Sequence, residues 1–425
     1  MQFPSVRFNR NKQQNRKLSN IPWEKNAYQY EERMTFITDP LWHGGAYYVQ
    51  ESSSMFLGYM LNQLLDSGLI KKQGCKILDL CAAPGGKSTH VLDLFSNENL
   101  LIANELIPKR NTILRENLIR WGKTNYIVTQ NYPEDFYMLE QYFDLLLIDA
   151  PCSGEGLFRK TPDAKNEWSE ENVEICAVRQ RNILQNSISL VKDDGILIYS
   201  TCTFQEKENE DQINWLLDNG FELIPFDISS FPEITEGKLQ NTFRFTFEKV
   251  KGSGFFIACL RKVKKINHPI ISKVNSIRKI DFPEKFDFQD ASNWIKNASE
   301  FNFYITKNKV IAFYKTFSVD LNLLFYSGLQ ITSFGTEIGE LKKEIFIPFH
   351  ALALSDIIRD DMPSIKLDKE NALQYLRKNE MNIEVSDFQL GWALVQFEGI
   401  NLGWVKVLQS RINNYLPNSF RILHY

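Results

Sequence analysis

The chain has 425 residues, 43% of them hydrophobic and 24% charged, and a net charge of −3. That is a globular composition, and the length favours two or three domains. It lacks the strongly basic balance of an overt nucleic-acid binder, no apolar run approaches the ~18 residues that span a bilayer, and residues 1–17 read as no apolar leader.

Charge is uneven at the start. Arg7, Arg10, Lys12, Arg16, Lys17 and Lys25 face only Glu24 in the first 25 residues. A solvated surface and a phosphate contact both account for such a cluster. The second half of residues 39–65 reads as an amphipathic helix capped by the serines at 52–54.

From 74 to 261 short apolar runs alternate with helical patterns. Strands are predicted at 76–80, 100–105, 126–130, 144–150 and 195–201, followed by two more at 221–226 and 254–262. Helices are predicted at 86–94, 108–122, 169–191 and 206–220, with Pro108 in a first turn, Ser169 as a cap and Gly220 as a stop. The strands are apolar throughout rather than alternating, which predicts a parallel sheet covered on both faces. The fold class expected is α/β, a Rossmann-like doubly wound sheet. In such sheets ligands lie beyond the carboxyl ends of the strands, where strand order reverses.

A second basic run, "RKVKK", covers 261–265, and composition then shifts. Residues 266–345 are β-rich; "FNFYITKNKVIAFY" at 301–314 predicts a hairpin turning at Lys307 and Asn308. Residues 346–425 mix helix and strand signals. The expected division is 1–45, 46–265, 266–345 and 346–425.

The turn after the first strand reads "DLCAAPGGKSTHV" from Asp79 to Val91. Its end imitates a nucleotide-phosphate loop, but that spacing needs glycine at 81, which is Cys81. Pro84 also stiffens the turn, and no G-x-G-x-x-G is present. What remains is an acid, Asp79, and a small-residue turn, Ala82, Ala83, Pro84, Gly85 and Gly86, that a ligand can approach closely. Glu105, about twenty residues on, ends the second strand where a carboxylate accepts ribose hydroxyls. This pair suits an adenosyl ligand without a pyrophosphate, namely S-adenosylmethionine.

The cysteines are Cys75, Cys81, Cys152, Cys176, Cys202 and Cys259. They form no CxxC pair and no zinc spacing, so free thiols in a reducing cytosol and no metal are expected. Cys152, in "IDAPCSGEG" (148–156), and Cys202, in "YSTCTFQEKENE" (199–210), each follow the carboxyl end of a strand. Neighbouring strands four and five would turn both toward one cleft, which favours a catalytic pair over two core residues. Position alone leaves open which of them attacks; a redox pair is the other chemistry two such thiols offer.

"LDLCAAPGGKST", "DAPCSGEG" and "STCTF" together resemble the Nol1/Nop2/Sun family of RNA cytosine-5 methyltransferases. "RKTPDAKNEWSEENVEICAVRQ" and "LGWVKV…NNYLP" resemble its bacterial small-subunit ribosomal RNA methyltransferase F type, over nearly the whole chain. The resemblance implies a class I S-adenosylmethionine-dependent methyltransferase with a C-terminal PUA-like RNA-binding extension. It places Cys81–Lys87 (Cys81, Ala82, Ala83, Pro84, Gly85, Gly86, Lys87) around the methionine moiety and Glu105 on the ribose. Cys202 is implied as the nucleophile on cytosine C6, Cys152 as the helper of product release, and Asp149 as the partner of the cytosine N3/N4 edge and a neighbour of the donor. Arg159 or Lys160 is expected to assist or to hold a phosphate. Relatives often carry an aspartate near the adenine; here that column holds Tyr132, beside Asn131. Where relatives show Arg-x-x-Pro-His, Arg244 is kept but Phe247 and Glu248 replace Pro-His.

The implied partner is RNA, 16S ribosomal RNA or the small subunit first and transfer RNA second, contacted in part by residues 1–45. Trp392, Trp404, Arg411 and Tyr415 are candidate RNA contacts or plain core residues. A cytoplasmic, monomeric enzyme without membrane partners is expected, with a non-catalytic RNA-binding protein of the same fold as the contrasting class.

Overall fold

The computed structural model describes residues 4–12, 20–159, 168–263, 282–343 and 345–423. Five strands with almost wholly buried side chains form its centre: Lys76–Asp79, Leu100–Asn104, Tyr126–Thr129, Phe143–Asp149 and Val191–Thr201. All pair in parallel, as their two-sided apolarity requires. From Lys76–Asp79 the chain adds two strands on one side, then crosses to build Phe143–Asp149 and Val191–Thr201 on the other. Strand order therefore reverses between Asp79 and Asp149, and a crevice opens at that point.

Both edges are covered by antiparallel strands. Phe255–Lys262 pairs with Val191–Thr201, and Ile331–Phe334 pairs with Tyr126–Thr129. The second cover crosses the expected division, because it comes from the β-rich segment after 266. An uncovered Tyr126–Thr129 edge would expose a row of unpaired N–H and C=O groups, which this strand satisfies. The expected boundary at 45 likewise runs through one small sheet, in which Ser5–Phe8 pairs with both Ala27–Gln29 and Tyr47–Val49.

The helices flank the sheet at Gly86–Leu94, Pro108–Trp121, Glu170–Gln185 and Glu210–Asp218. Ser169 caps the third, its Oγ accepting from the Asn172 N–H at 3.1 Å. That helix stops at Gln185, six residues before the expected end. Buried Ile188 and Leu190 turn inward as a 3₁₀ turn, and the strand starts at once from Val191. The helix Phe56–Asp66 is not capped by serine side chains as expected; Glu51 takes the Ser54 N–H at 3.2 Å instead. The hairpin at 301–314 forms as expected, with Lys307 and Asn308 at φ 48° and 67° supplying the two-residue turn.

The C-terminal part holds a four-stranded sheet, Ser364–Leu367, Gly391–Phe397, Ile400–Val407 and Ile412–Asn414. Trp404 belongs to its core, donating from Nε1 to the Phe349 carbonyl at 2.9 Å. Trp392 and Tyr415 reach the surface as an edge-to-face pair 4.4 Å apart, with the Lys406 ammonium 5.3 Å from the Trp392 ring.

Two of the N-terminal cations are neither surface nor phosphate contacts. Arg7 is fully buried, donates to Gln50 Oε1 at 2.9 Å and Thr89 Oγ1 at 2.7 Å, and lies over Trp121. Lys12 donates to the Gly44 and Arg120 carbonyls at 3.0 and 2.7 Å, and burial lowers its pKa to about 7. They clasp the first strand to the helices Gly86–Leu94 and Pro108–Trp121. Arg16, Lys17, Lys264 and Lys265 lie outside the described residues. No helix among the described residues is long and apolar enough to cross a membrane.

Two buried histidines brace the same junction. Burial lowers His43 to about 4 and His350 to about 3. Both fall below the unfolded value of about 6.5, so the unfolded chain binds protons that the folded chain refuses. Their contribution is present above pH 6.5 and is lost as pH falls toward 4. The urea midpoint should therefore drop less between pH 6.5 and 4.5 in His350→Gln than in the parent; an equal drop would remove His350 from the effect.

Candidate active site

The crevice begins at Asp79. Its carboxylate is fully buried; Oδ2 accepts from Ser88 Oγ at 2.6 Å, while Oδ1 has no hydrogen-bond partner among the described residues. Burial raises its pKa to about 7. Above it runs the turn 82–86. Gly85 sits at φ 110°, a conformation that side-chain-bearing residues rarely adopt. Arg110 Nη2 donates to the Ala83 carbonyl at 2.7 Å and Asn117 Nδ2 to the Pro84 carbonyl at 2.8 Å, so the helix Pro108–Trp121 holds the turn from outside.

Glu105 ends the next strand, buried, with Oε1 accepting from the Ile107 N–H at 2.9 Å and Oε2 facing Arg110 Nη1 at 3.5 Å. Beyond the third strand, Asn131 is committed elsewhere. Its side chain both accepts from and donates to the Gln330 backbone, at 2.9 and 3.2 Å. Tyr132 remains 55% exposed, its N–H donating to Asp135 Oδ2 at 2.9 Å.

Asp149 ends the fourth strand. Oδ2 pairs with Lys87 Nζ at 2.8 Å, and Oδ1 accepts from Ser200 Oγ at 2.7 Å. One carboxylate thus joins the turn of the first strand to the end of the fifth. Three residues on, Cys152 lies with its sulfur 3.0 Å from that of Cys202, and the Cys202 N–H points at the Cys152 sulfur at 3.3 Å. Both thiols are free and half-buried. The contact with Cys202, then burial, raise the Cys152 pKa well above its ordinary value.

Backbone contacts stitch these loops together. The Gly156 N–H donates to the Cys202 carbonyl at 2.8 Å, and the Gly254 N–H to the Gly156 carbonyl at 3.0 Å. A Cβ on Gly156 would come within 2.3 Å of the Gly254 carbonyl oxygen and 2.7 Å of that of Cys202, so only glycine permits the approach. Glu155 accepts from the Phe204 N–H at 3.2 Å and Gln205 Nε2 at 2.7 Å, tying the same two loops.

Two expected cations are structural. Arg159 spends its guanidinium on the carbonyls of Phe247, Val250 and Gly252 and lies over the Phe247 ring. Lys160 lies outside the described residues. Arg244 pairs with Glu210 and donates to the Phe204 carbonyl at 3.0 Å. Phe247 packs edge-to-face on Phe204 at 5.3 Å. Sequence reasoning missed Gln180 and Glu208 because each lies in a segment whose helical pattern explains its amide or charge as surface, and Glu155 because it stands in a loop motif singled out for its cysteine.

The crevice fits an adenosyl donor. An unpartnered carboxylate oxygen underlies a side-chain-poor turn, a second carboxylate ends the neighbouring strand, and the Lys87–Asp149 pair borders the two sulfurs.

Residues 68–261 match the family model described as 16S rRNA methyltransferase RsmB/F, and residues 363–422 match that of the methyltransferase RsmF PUA domain. The ribosomal RNA small subunit methyltransferase F of Shewanella loihica is 30% identical over 387 residues, covering 88% of this chain and 77% of its own. That of Vibrio vulnificus is 29% identical over 398 residues, covering 88% and 78%. A solved structure of a methyltransferase homolog protein from Pyrococcus horikoshii superposes with a TM-score of 0.51 at 28% identity, covering 62% of this chain and 87% of that one.

Proposed function

Because the chain belongs to the 16S rRNA methyltransferase RsmB/F family, we propose that it methylates C5 of a cytosine in small-subunit ribosomal RNA through a covalent Cys202–C6 bond. It is an S-adenosylmethionine-dependent RNA methyltransferase with a Rossmann-like sheet and a C-terminal PUA domain. The observation that carries the finer reading is the pair of sulfurs 3.0 Å apart, beyond adjacent parallel strands and beside the Lys87–Asp149 pair.

Cytosine C5 is a poor nucleophile. Addition of the Cys202 thiolate to C6 moves the C5=C6 electron pair onto C5 and makes it enamine-like. Bound S-adenosylmethionine supplies an electrophilic methyl on its sulfonium. The C5 proton must then pass to a base so that the ring double bond can re-form and expel the Cys202 sulfur. The family resemblance implies Cys202 as the attacking sulfur and Cys152, whose sulfur lies 3.0 Å away, as the group that serves release. Asp149, held by Lys87 and Ser200, presents a carboxylate to the N3/N4 edge. Residues 81–87 and Glu105 hold the donor. A stacked cytosine cannot show C6 to a thiol, so the target is unpaired or flipped out. Surface-reaching Trp392 and Tyr415 are suited to stack on unpaired bases.

Incubation of the purified protein with S-adenosylmethionine and either naked 16S ribosomal RNA or small subunits, followed by bisulfite sequencing, should show one new protected cytosine. A methyl found on another atom, or transfer to transfer RNA alone, would overturn the assignment. Binding without any transfer would point to an RNA-binding protein of this fold.

A further inference from the structure

Beneath the two cysteine loops lies a carboxylate that the chemistry above does not use. Glu208 is fully buried. Its Oε2 accepts from the Ser153 N–H at 3.0 Å and from Gln180 Nε2 at 2.8 Å, and its Oε1 accepts from Ser153 Oγ. Gln180 Nε2 also donates to the Pro151 carbonyl at 3.0 Å. Cys152 is therefore gripped through the residue before it and the residue after it. Ser153 Oγ lies 2.9 Å from Thr203 Oγ1, which carries the grip to the loop of Cys202. The Glu208 main chain is itself anchored, its carbonyl accepting from the Tyr199 hydroxyl at 2.7 Å on the strand that leads to Cys202.

A buried carboxylate is costly unless its acceptors are filled, and those of Glu208 are filled by Ser153 and Gln180. Glu208 spends its acceptors on one loop, and that loop bears a reactive thiol. Placement within about half an ångström is what such supporting shells provide. We propose that Glu208 is a positioning residue: through Ser153 and Gln180 it fixes Cys152 against Cys202, and so sets the rate of product release rather than the rate of attack. The inference rests on the reading of Cys202 as nucleophile and Cys152 as release residue.

Glu208→Gln keeps the size but turns an amide donor toward donors. Turnover should fall about 10- to 100-fold, the usual cost of a small misplacement. S-adenosylmethionine affinity should be unchanged, and a covalent RNA adduct should appear on a denaturing gel. In a Cys152→Ala background the same substitution should leave the rate of adduct formation within about twofold, because the group it positions is gone. Ser153→Ala, which removes one hydroxyl, should give the same pattern more mildly. The proposal is overturned if Glu208→Gln slows adduct formation in that background as much as it slows turnover in the parent. It is equally overturned if Glu208→Gln fails to fold while Ser153→Ala turns over normally. Should Cys152→Ala alone yield no adduct, the cysteine reading falls first and this proposal with it.

Discussion

Cys202→Ala should abolish methyl transfer while S-adenosylmethionine still binds. Without the sulfur there is no route to an enamine-like C5, and the remaining donor site can only hold the reactants together. The loss should be at least about 10³-fold, or ~4 kcal/mol of transition-state stabilisation. The fold should survive, because the Cys202 backbone carries its own support: its carbonyl accepts from the Gly156 N–H at 2.8 Å whatever the side chain is. The donor turn is independent of it, being held by Arg110 and Asn117, and Asp79 beneath it by Ser88. Calorimetric titration of S-adenosylmethionine should give a parental affinity, and labelled methyl transfer should be at background. Transfer above about one per cent of the parent's would remove Cys202 as the nucleophile.

The parts of this molecule that its sequence made legible are those dictated by short-range rules. Continuous apolarity in "DLLLIDA" and its neighbours could only satisfy a sheet buried on both faces, and crossover helices then forced the strands into parallel order. Once the order was parallel, Asp79, Asp149, Cys152 and Cys202 had to converge at the carboxyl ends, and they do. What stayed hidden was decided by contacts distant in sequence. The adenine contact stayed open between Asn131 and Tyr132, because only the fold shows the Asn131 amide occupied by Gln330, 199 residues away. Arg7 looked exposed because arginine usually is; its partners Gln50 and Thr89 lie 43 and 82 residues on. Glu208 sits in an acidic run that reads as a solvated helix start, and only the third dimension shows that Ser153 and Gln180 enclose it. Composition marks 266–345 as β-rich, but not that residues 331–334 complete the edge of the sheet at Tyr126–Thr129.

Cys152→Ala should fail in the other direction, by holding on to its RNA. If Cys202 attacks and Cys152 serves release, the variant forms the C6–sulfur bond and cannot break it. Turnover should fall about 10³-fold while nearly every enzyme molecule becomes attached to substrate, seen as a slow band on a denaturing gel. Truncation at the β-carbon leaves the loop in place, since Glu208 and Gln180 hold it through Ser153 and the Pro151 carbonyl rather than through the sulfur. Normal turnover in this variant would mean the roles of the two cysteines are wrongly assigned. Two controls decide what the band is. It must vanish in Cys152→Ala combined with Cys202→Ala, because no thiolate then remains to form it. It must also persist in reducing agent, because a carbon–sulfur bond resists thiols whereas a disulfide exchanges with them. A band that reductant removes would be a disulfide between two protein chains rather than an RNA adduct, and would overturn the reading of Cys152 as the release residue.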